Sequence, residues 1–181
     1  MKSFIEQAQF YAVYHQKPIT RYMHLIGVPL IVFSLMIFFA FVHLVIPGVM
    51  DLTLACILTI LLLVYYFYLN WFLALVITPI LGILLWLAHL VSHAGPTSSA
   101  LWVFIWTFIL GWTLQLIGHF LENKRPALMG NLCQLLIAPL FLTAELFFMS
   151  GYMQKLKQEI YGNIDESETI KPEKSESDDK F

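Results

Sequence analysis

The sequence predicts an all-α, multi-pass helical integral membrane protein: about four transmembrane helices followed by a C-terminal re-entrant or interfacial helix. Three observations carry that expectation. Of 181 residues, 59% are hydrophobic and only 12% are charged, about half the charged share of a soluble domain. The mean hydropathy is +0.75. Between Leu25 and His119 there is one formal charge, Asp51. The net charge of −2 provides no basic stripe, so nucleic acid is not an expected partner. The start, MKSFIEQAQFYAVYHQKP, has no apolar h-region or small-residue cleavage site, so the first hydrophobic segment is expected to be an uncleaved span.

A span needs about 20 apolar residues to cross about 30 Å of hydrocarbon. The first runs from Leu25 to Ile46 and ends at the turn signal Pro47-Gly48. The second and third, Leu52–Leu69 and Trp71–Val91, are separated only by Asn70; they form either a tight hairpin or one long bent helix. After the polar stretch Ser92–Ser99, Leu101–Gly118 is the fourth. The segment 131–150 contains Asn131, Gln134, Pro139 and Glu145 and reads as a fifth span, a re-entrant segment or an interfacial helix. Lys2, Lys17 and Arg21 precede the first span, and Lys124 and Arg125 follow the fourth, so both flanks are expected in the cytoplasm. A fifth crossing would export Lys155 and Lys157, which favours a last segment that does not fully cross.

Residues 1–161 are expected to be the membrane-embedded catalytic domain. The stretch 162–181, with seven acidic and three basic residues, reads as a disordered acidic tail. Cys56 and Cys133 stand alone in apolar surroundings and read as small hydrophobes.

Six histidines in so apolar a chain need explaining. His43 reads as a structural residue. Gln115, His119 and Glu122 stand at i, i+4 and i+7, one polar stripe on a helix. Gly118 beside the histidine leaves room for another backbone or a ligand. Such a stripe also serves as helix–helix glue. Glu145 is a carboxylate among apolar residues, a functional-site candidate in a membrane segment. His15 and His24 converge if the chain turns at Lys17-Pro18, since proline disfavours helix at the residue before it. Three histidines and a carboxylate then meet at the cytoplasmic boundary, a donor set suited to iron, zinc or manganese. His89 and His93 form HxxxH and are able to share a metal, but a hairpin at Asn70 puts them about 30 Å from the first cluster.

The ordered motifs Tyr14-His15-x-x-Pro18-x5-His24-x-x-Gly27-x-Pro29, Gln115-x-x-Gly118-His119-x-x-Glu122-x-x-x-Pro126-Ala127-Leu128, Asn131-Leu132 and Ala138-Pro139-x-Phe141-x-x-x-Glu145 resemble a family long labelled a domain of unknown function. Its characterised yeast member is an endoplasmic-reticulum 2-hydroxy fatty acid dioxygenase of phytosphingosine breakdown. The resemblance covers roughly residues 4 to 155. It implies iron(II)-dependent α-oxidation, in which a 2-hydroxy fatty acid and dioxygen give an acid one carbon shorter. The implied iron ligands are His15, His24 and His119, with Glu122 and Glu145 as ligands or orienting groups; His89 and His93 belong to a middle region that matches poorly. Family members often carry Asn where this chain has Thr20. Gln115 joins Glu122 and Glu145 as a catalytic candidate, and Arg21, Lys124 and Arg125 are candidates to pair the substrate carboxylate. The expected partners are therefore a lipid substrate, dioxygen and the membrane itself. A bacterial inner membrane is the favoured location, or the endoplasmic reticulum in a eukaryote.

Two other functions compete. A histidine-box lipid hydroxylase or desaturase needs HxxHH clusters and more histidines than the six here. A small transporter or membrane scaffold would use the polar stripes only to hold helices together. Metal content separates these readings.

Overall fold

A computed structural model of the chain describes residues 4–12, 17–46, 50–122 and 133–169. A short helix α1 (Phe4–Ala12) precedes α2 (Pro18–Ala40). A two-stranded antiparallel hairpin follows, β1 (His43–Ile46) with β2 (Met50–Thr53). The rest is helical: α3 (Leu54–Leu69), α4 (Trp71–Ser92), α5 (Ser98–Glu122), α6 (Cys133–Met149) and α7 (Gln154–Thr169). The chain is an all-α membrane protein, the hairpin being its one departure from helix among the described residues.

Local chemistry sets the boundaries. Pro18 opens α2 at a position that needs no N–H donor, and Lys17 before it is extended at φ −77°, ψ 135°. The Thr53 hydroxyl accepts from the Cys56 N–H, and the Asn70 side chain accepts from the Leu73 N–H. Each caps a helix start inside an otherwise unbroken apolar run. Asn70, at φ −157°, is the whole connection between α3 and α4, which pack against each other. The hairpin alternative for 52–91 is therefore the one adopted. The Thr97 hydroxyl accepts from the Ala100 N–H at the start of α5.

Three helices, α2, α4 and α5, are long and apolar enough to cross a membrane. The first ends at Ala40, six residues before the expected Ile46, because His43–Ile46 pairs with Met50–Thr53 instead of continuing the helix. The hairpin also shortens α3 to 16 residues, about 24 Å of rise.

The last apolar segment is not a simple crossing. Helix α6 bends by 116° into α7. The bend is a Schellman closure: Tyr152 N–H donates to the Phe147 carbonyl and Gly151 N–H to Phe148. Gly151 has φ +82°, a conformation that glycine takes without steric cost. Residues 137–145 of α6 are all buried, so this stretch is enclosed on every side rather than on one face, while Leu136, Leu146 and Met149 flanking it are exposed. Helix α7 packs on α1, where the Gln9 amide donates to the Glu159 carbonyl at 2.7 Å.

The most extensive helix–helix packing is between α2 and α5. They run antiparallel: His24 lies against Gly118 near one end, and Phe38 stacks on Phe104 at the other. Glycine makes the approach possible. A Cβ on Gly27 would lie 3.0 Å from the Gly111 carbonyl oxygen, and one on Gly111 would lie 2.8 Å from the Ile31 side chain and 3.0 Å from the Gly27 carbonyl oxygen. In lipid, where apolar side chains gain nothing by leaving one apolar medium for another, such close backbone packing is a main source of helix association. The Lys17 ammonium then donates to the Leu121 carbonyl at 2.6 Å, a cation on the open C-terminal turn of α5.

Gly111→Ala is expected to lower stability by about 1–3 kcal/mol, the usual cost of overpacking. Gly82→Ala, where a Cβ would meet nothing within 4 Å, is expected to be neutral or stabilising. Thermal unfolding of both variants in one detergent checks the pair, and equal midpoints would exclude the glycine crossing as the determining contact.

Candidate functional site

The glycine crossing lets two histidines meet. Gly118 has no Cβ; one there would lie 2.9 Å from His24 Cε1 and 3.0 Å from His24 Nδ1. The imidazole of His24 fills that space and faces His119, Nε2 to Nε2, at 3.4 Å, with the two rings nearly perpendicular at 86°. Both residues are buried. His24 Nδ1 lies 2.9 Å from the Thr20 carbonyl oxygen. That oxygen only accepts, so Nδ1 carries the proton and the neutral ring turns an Nε2 lone pair toward His119. A backbone carbonyl holding the far nitrogen is how metal-ligating histidines are commonly oriented. Thr20 is fully buried, and its hydroxyl donates to the Gly118 carbonyl at 3.3 Å.

This arrangement fits a metal ion. Two imidazole nitrogens, each about 2.1 Å from one ion, stand about 3 to 3.4 Å apart, depending on the angle between them. Among the described residues no group of three His, Cys, Asp or Glu comes together. His15, Lys124 and Arg125 lie outside the described residues, as does the side chain of Glu122.

One turn of α2 before His24, Arg21 turns toward α6. Its Nη1 lies 3.4 Å from Glu145 Oε2, and its guanidinium covers the Tyr161 ring at 5.1 Å. The Tyr161 hydroxyl donates to Glu145 Oε1 in a short hydrogen bond. Glu145 is 2% exposed. A carboxylate buried that deeply survives because a cation and a hydroxyl both serve it. Tyr11 of α1 stacks against Phe141 of α6. Burial, and then the Glu145 charge, push its phenol well above the ordinary range, so it stays neutral. Four elements, α1, α2, α6 and α7, thus converge on one carboxylate.

Two other donors lie along the same face of α5. Gln115 is buried one turn before His119, and its Nε2 has no acceptor among the described residues; nor has the Trp112 indole N–H. An ideal Cβ on Gly27 would lie 3.1 Å from Gln115 Nε2, so this amide sits at the glycine crossing.

Of the sequence candidates, then, His24, His119 and Gln115 share the α2–α5 interface, and Arg21 and Glu145 form an ion pair one turn away. His89 and His93 do not join them. Both are exposed at the end of α4 that leads into the start of α5, the end of the bundle opposite His119. His93 Nδ1 is satisfied by the Leu90 carbonyl of its own helix. His43 is exposed on the hairpin. Sequence reasoning missed Tyr11 and Tyr161. A buried carboxylate demands donors, and that demand was the available signal, but it does not say which tyrosine answers.

A family model described as "Mpo1-like: 2-hydroxy-palmitic acid dioxygenase Mpo1-like" matches residues 1–150. The chain belongs to the Mpo1-like family. It is 31% identical over 156 residues to the 2-hydroxy-palmitic acid dioxygenase MPO1 of Saccharomyces cerevisiae, covering 83% of each chain. No solved structure matches. The Mpo1-like match takes in α1 through α6 and the two histidines; Tyr161 lies beyond the matched residues.

Arg21→Leu leaves Glu145 buried without its cation and is expected to destabilise by a few kcal/mol, less than the full cost of breaking a buried pair because Arg21 is one-quarter exposed. Arg21→Leu/Glu145→Leu is expected to regain most of that loss. A double-mutant cycle on thermal unfolding measures the coupling, and additive losses would show that the pair does not interact.

Proposed function

We propose that this protein is an iron(II)-dependent dioxygenase that shortens 2-hydroxy fatty acids by one carbon. The observation that carries the reading is the buried pair of facing imidazole nitrogens, His24 and His119, in a chain related to a protein named 2-hydroxy-palmitic acid dioxygenase. The reaction balances without another reductant. A 2-hydroxy acid and dioxygen give the shortened acid, carbon dioxide and water, as the bond between the carboxyl carbon and the hydroxyl-bearing carbon breaks.

His24 and His119 would hold the iron, with His15 and Glu122 as the candidates to complete its ligands. When bound, iron(II) supplies the one-electron chemistry that lets dioxygen react with a closed-shell acid. The chain's own residues bind and orient. The Thr20 carbonyl fixes the His24 tautomer and its ring orientation. Arg21, held from two sides by Glu145 and Tyr161, is positioned for the substrate carboxylate, and Lys124 and Arg125 are further candidates for that contact. The Gln115 amide donates to a substrate oxygen, which gives its buried N–H groups an acceptor. Glu145 acts through Arg21 as a positioning residue rather than as a ligand.

The test is anaerobic loading of the purified protein with iron(II), followed by 2-hydroxypalmitate and oxygen, with mass spectrometry for the shortened acid. About one iron per chain and formation of that acid are expected. His24→Ala and His119→Ala are each expected to lose both. Gly118→Ala, which crowds His24, is expected to weaken iron binding about 10–100-fold, the scale of losing an orienting contact. Absence of bound iron under anaerobic handling would sink the reading and return the polar stripes to helix packing.

A further inference from the structure

Two apolar cavities lie against α6. The smaller, about 80 Å³, is bounded by Leu25, Val28, Leu81, Leu142 and Leu146. The larger, about 350 Å³, opens between α2, α3 and α6 and is bounded by Met36, Phe39, Thr59, Tyr66 and Leu136. Val32 and Pro139 line both. The smaller cavity lies at the level of the polar site along the bundle: Leu25, one residue beyond His24, and Leu146, one beyond Glu145, line it. The larger carries it away from that site along α2.

The hydroxyls around these cavities are already hydrogen-bonded within the protein. The Thr59 hydroxyl donates to Ala55 at 2.7 Å, Thr143 to Pro139 at 2.9 Å and Tyr66 to Leu136 at 2.6 Å, each to a backbone carbonyl. Tyr65 donates to the Gln7 side chain at 2.9 Å. Among the described residues an occupant therefore finds largely hydrocarbon walls along its length, with the polar site at the level of the His24 end. From His24 to Phe39 the rise along α2 is about 22 Å, more than the roughly 15 Å of hydrocarbon in one leaflet. The larger cavity alone is within the range of about 300–1,000 Å³ for ligand sites.

We infer that the two cavities form one slot for a long unbranched acyl chain whose acid head lies at the His24–His119 end, and that Val32 and Pro139 form the waist that sets chain length. The identity of the head group rests on the proposed function; the slot itself rests on its walls and its length. A chain that stops short of the waist fills only the smaller cavity. A longer one gains apolar contact only by passing between Val32 and Pro139.

The test uses two photoreactive 2-hydroxy fatty acids in phosphatidylcholine nanodiscs, one with a diazirine near the head and one with it near the tail. Labelled peptides are read by mass spectrometry. The head-proximal probe is expected to label α2 around Leu25 and Val28, and the tail probe to label 58–66 and 135–139. Excess 2-hydroxypalmitate is expected to compete, whereas added phosphatidylcholine is not. Val32→Phe is expected to reduce tail-probe labelling of the larger cavity about tenfold or more, the scale of a methylene group or two in an apolar pocket. It also moves the preferred competitor to shorter acids, while Val32→Ala moves it to longer ones. Labelling of the slot without turnover would remove the proposed reaction and keep the slot. Labelling displaced equally by phosphatidylcholine would make the slot an ordinary lipid contact. If neither Val32 variant altered the chain-length preference, the waist would be excluded.

Discussion

The contact between α2 and α5 is the constraint on which the rest depends. Gly27, Gly111 and Gly118 let two helices touch backbone to backbone, and everything polar in the bundle is arranged about that seam. With a side chain at Gly118, His24 has no room for its ring; with the helices farther apart, its Nε2 and that of His119 no longer face each other. The closeness also makes the site dry. Both imidazoles, Thr20 and Gln115 are buried, so each lone pair and each N–H has to be met by protein or by a ligand.

The second polar feature follows a different logic. Glu145 lies at the end of the enclosed stretch of α6, where a lone carboxylate is costly. Arg21 and Tyr161 reach it from helices far apart in sequence, and the guanidinium lies over the Tyr161 ring at 5.1 Å. Arg21 and His24 are three residues apart on one helix. A rigid Arg21 therefore fixes a positive charge at a set distance from the imidazole pair. Stability and positioning share one network.

Much of this was legible in the sequence because the membrane simplifies the reading. A long stretch with a single charge admits few folds, and polar residues within it have few reasons to be there. His24, His119, Gln115 and Glu145 stood out on those grounds, and the structure gathers them near one end of the bundle. Tyr11 and Tyr161 did not stand out, because a tyrosine near a membrane surface is ordinary and only the third dimension reveals a buried carboxylate beside it. The hairpin was hidden for another reason. His43–Ile46 is apolar enough to extend a helix, and its strand pairing with Met50–Thr53 is a non-local choice. His89 and His93 had a metal-like spacing, yet a one-residue turn at Asn70 puts them at the opposite end.

The enclosure of α6 bears on how the protein is made. Synthesis runs from the N-terminus, so α2 to α5 leave the ribosome before α6 exists. Alone among these helices, α6 carries a carboxylate in its buried stretch and presents no broad lipid-facing side. Lipid is a poor waiting room for such a segment. It finds its low-energy state only after the earlier helices have formed a vacancy and Arg21 is in place to receive the charge. Burial of α6 thus completes the packing around Glu145, and it requires Arg21 to be in position first.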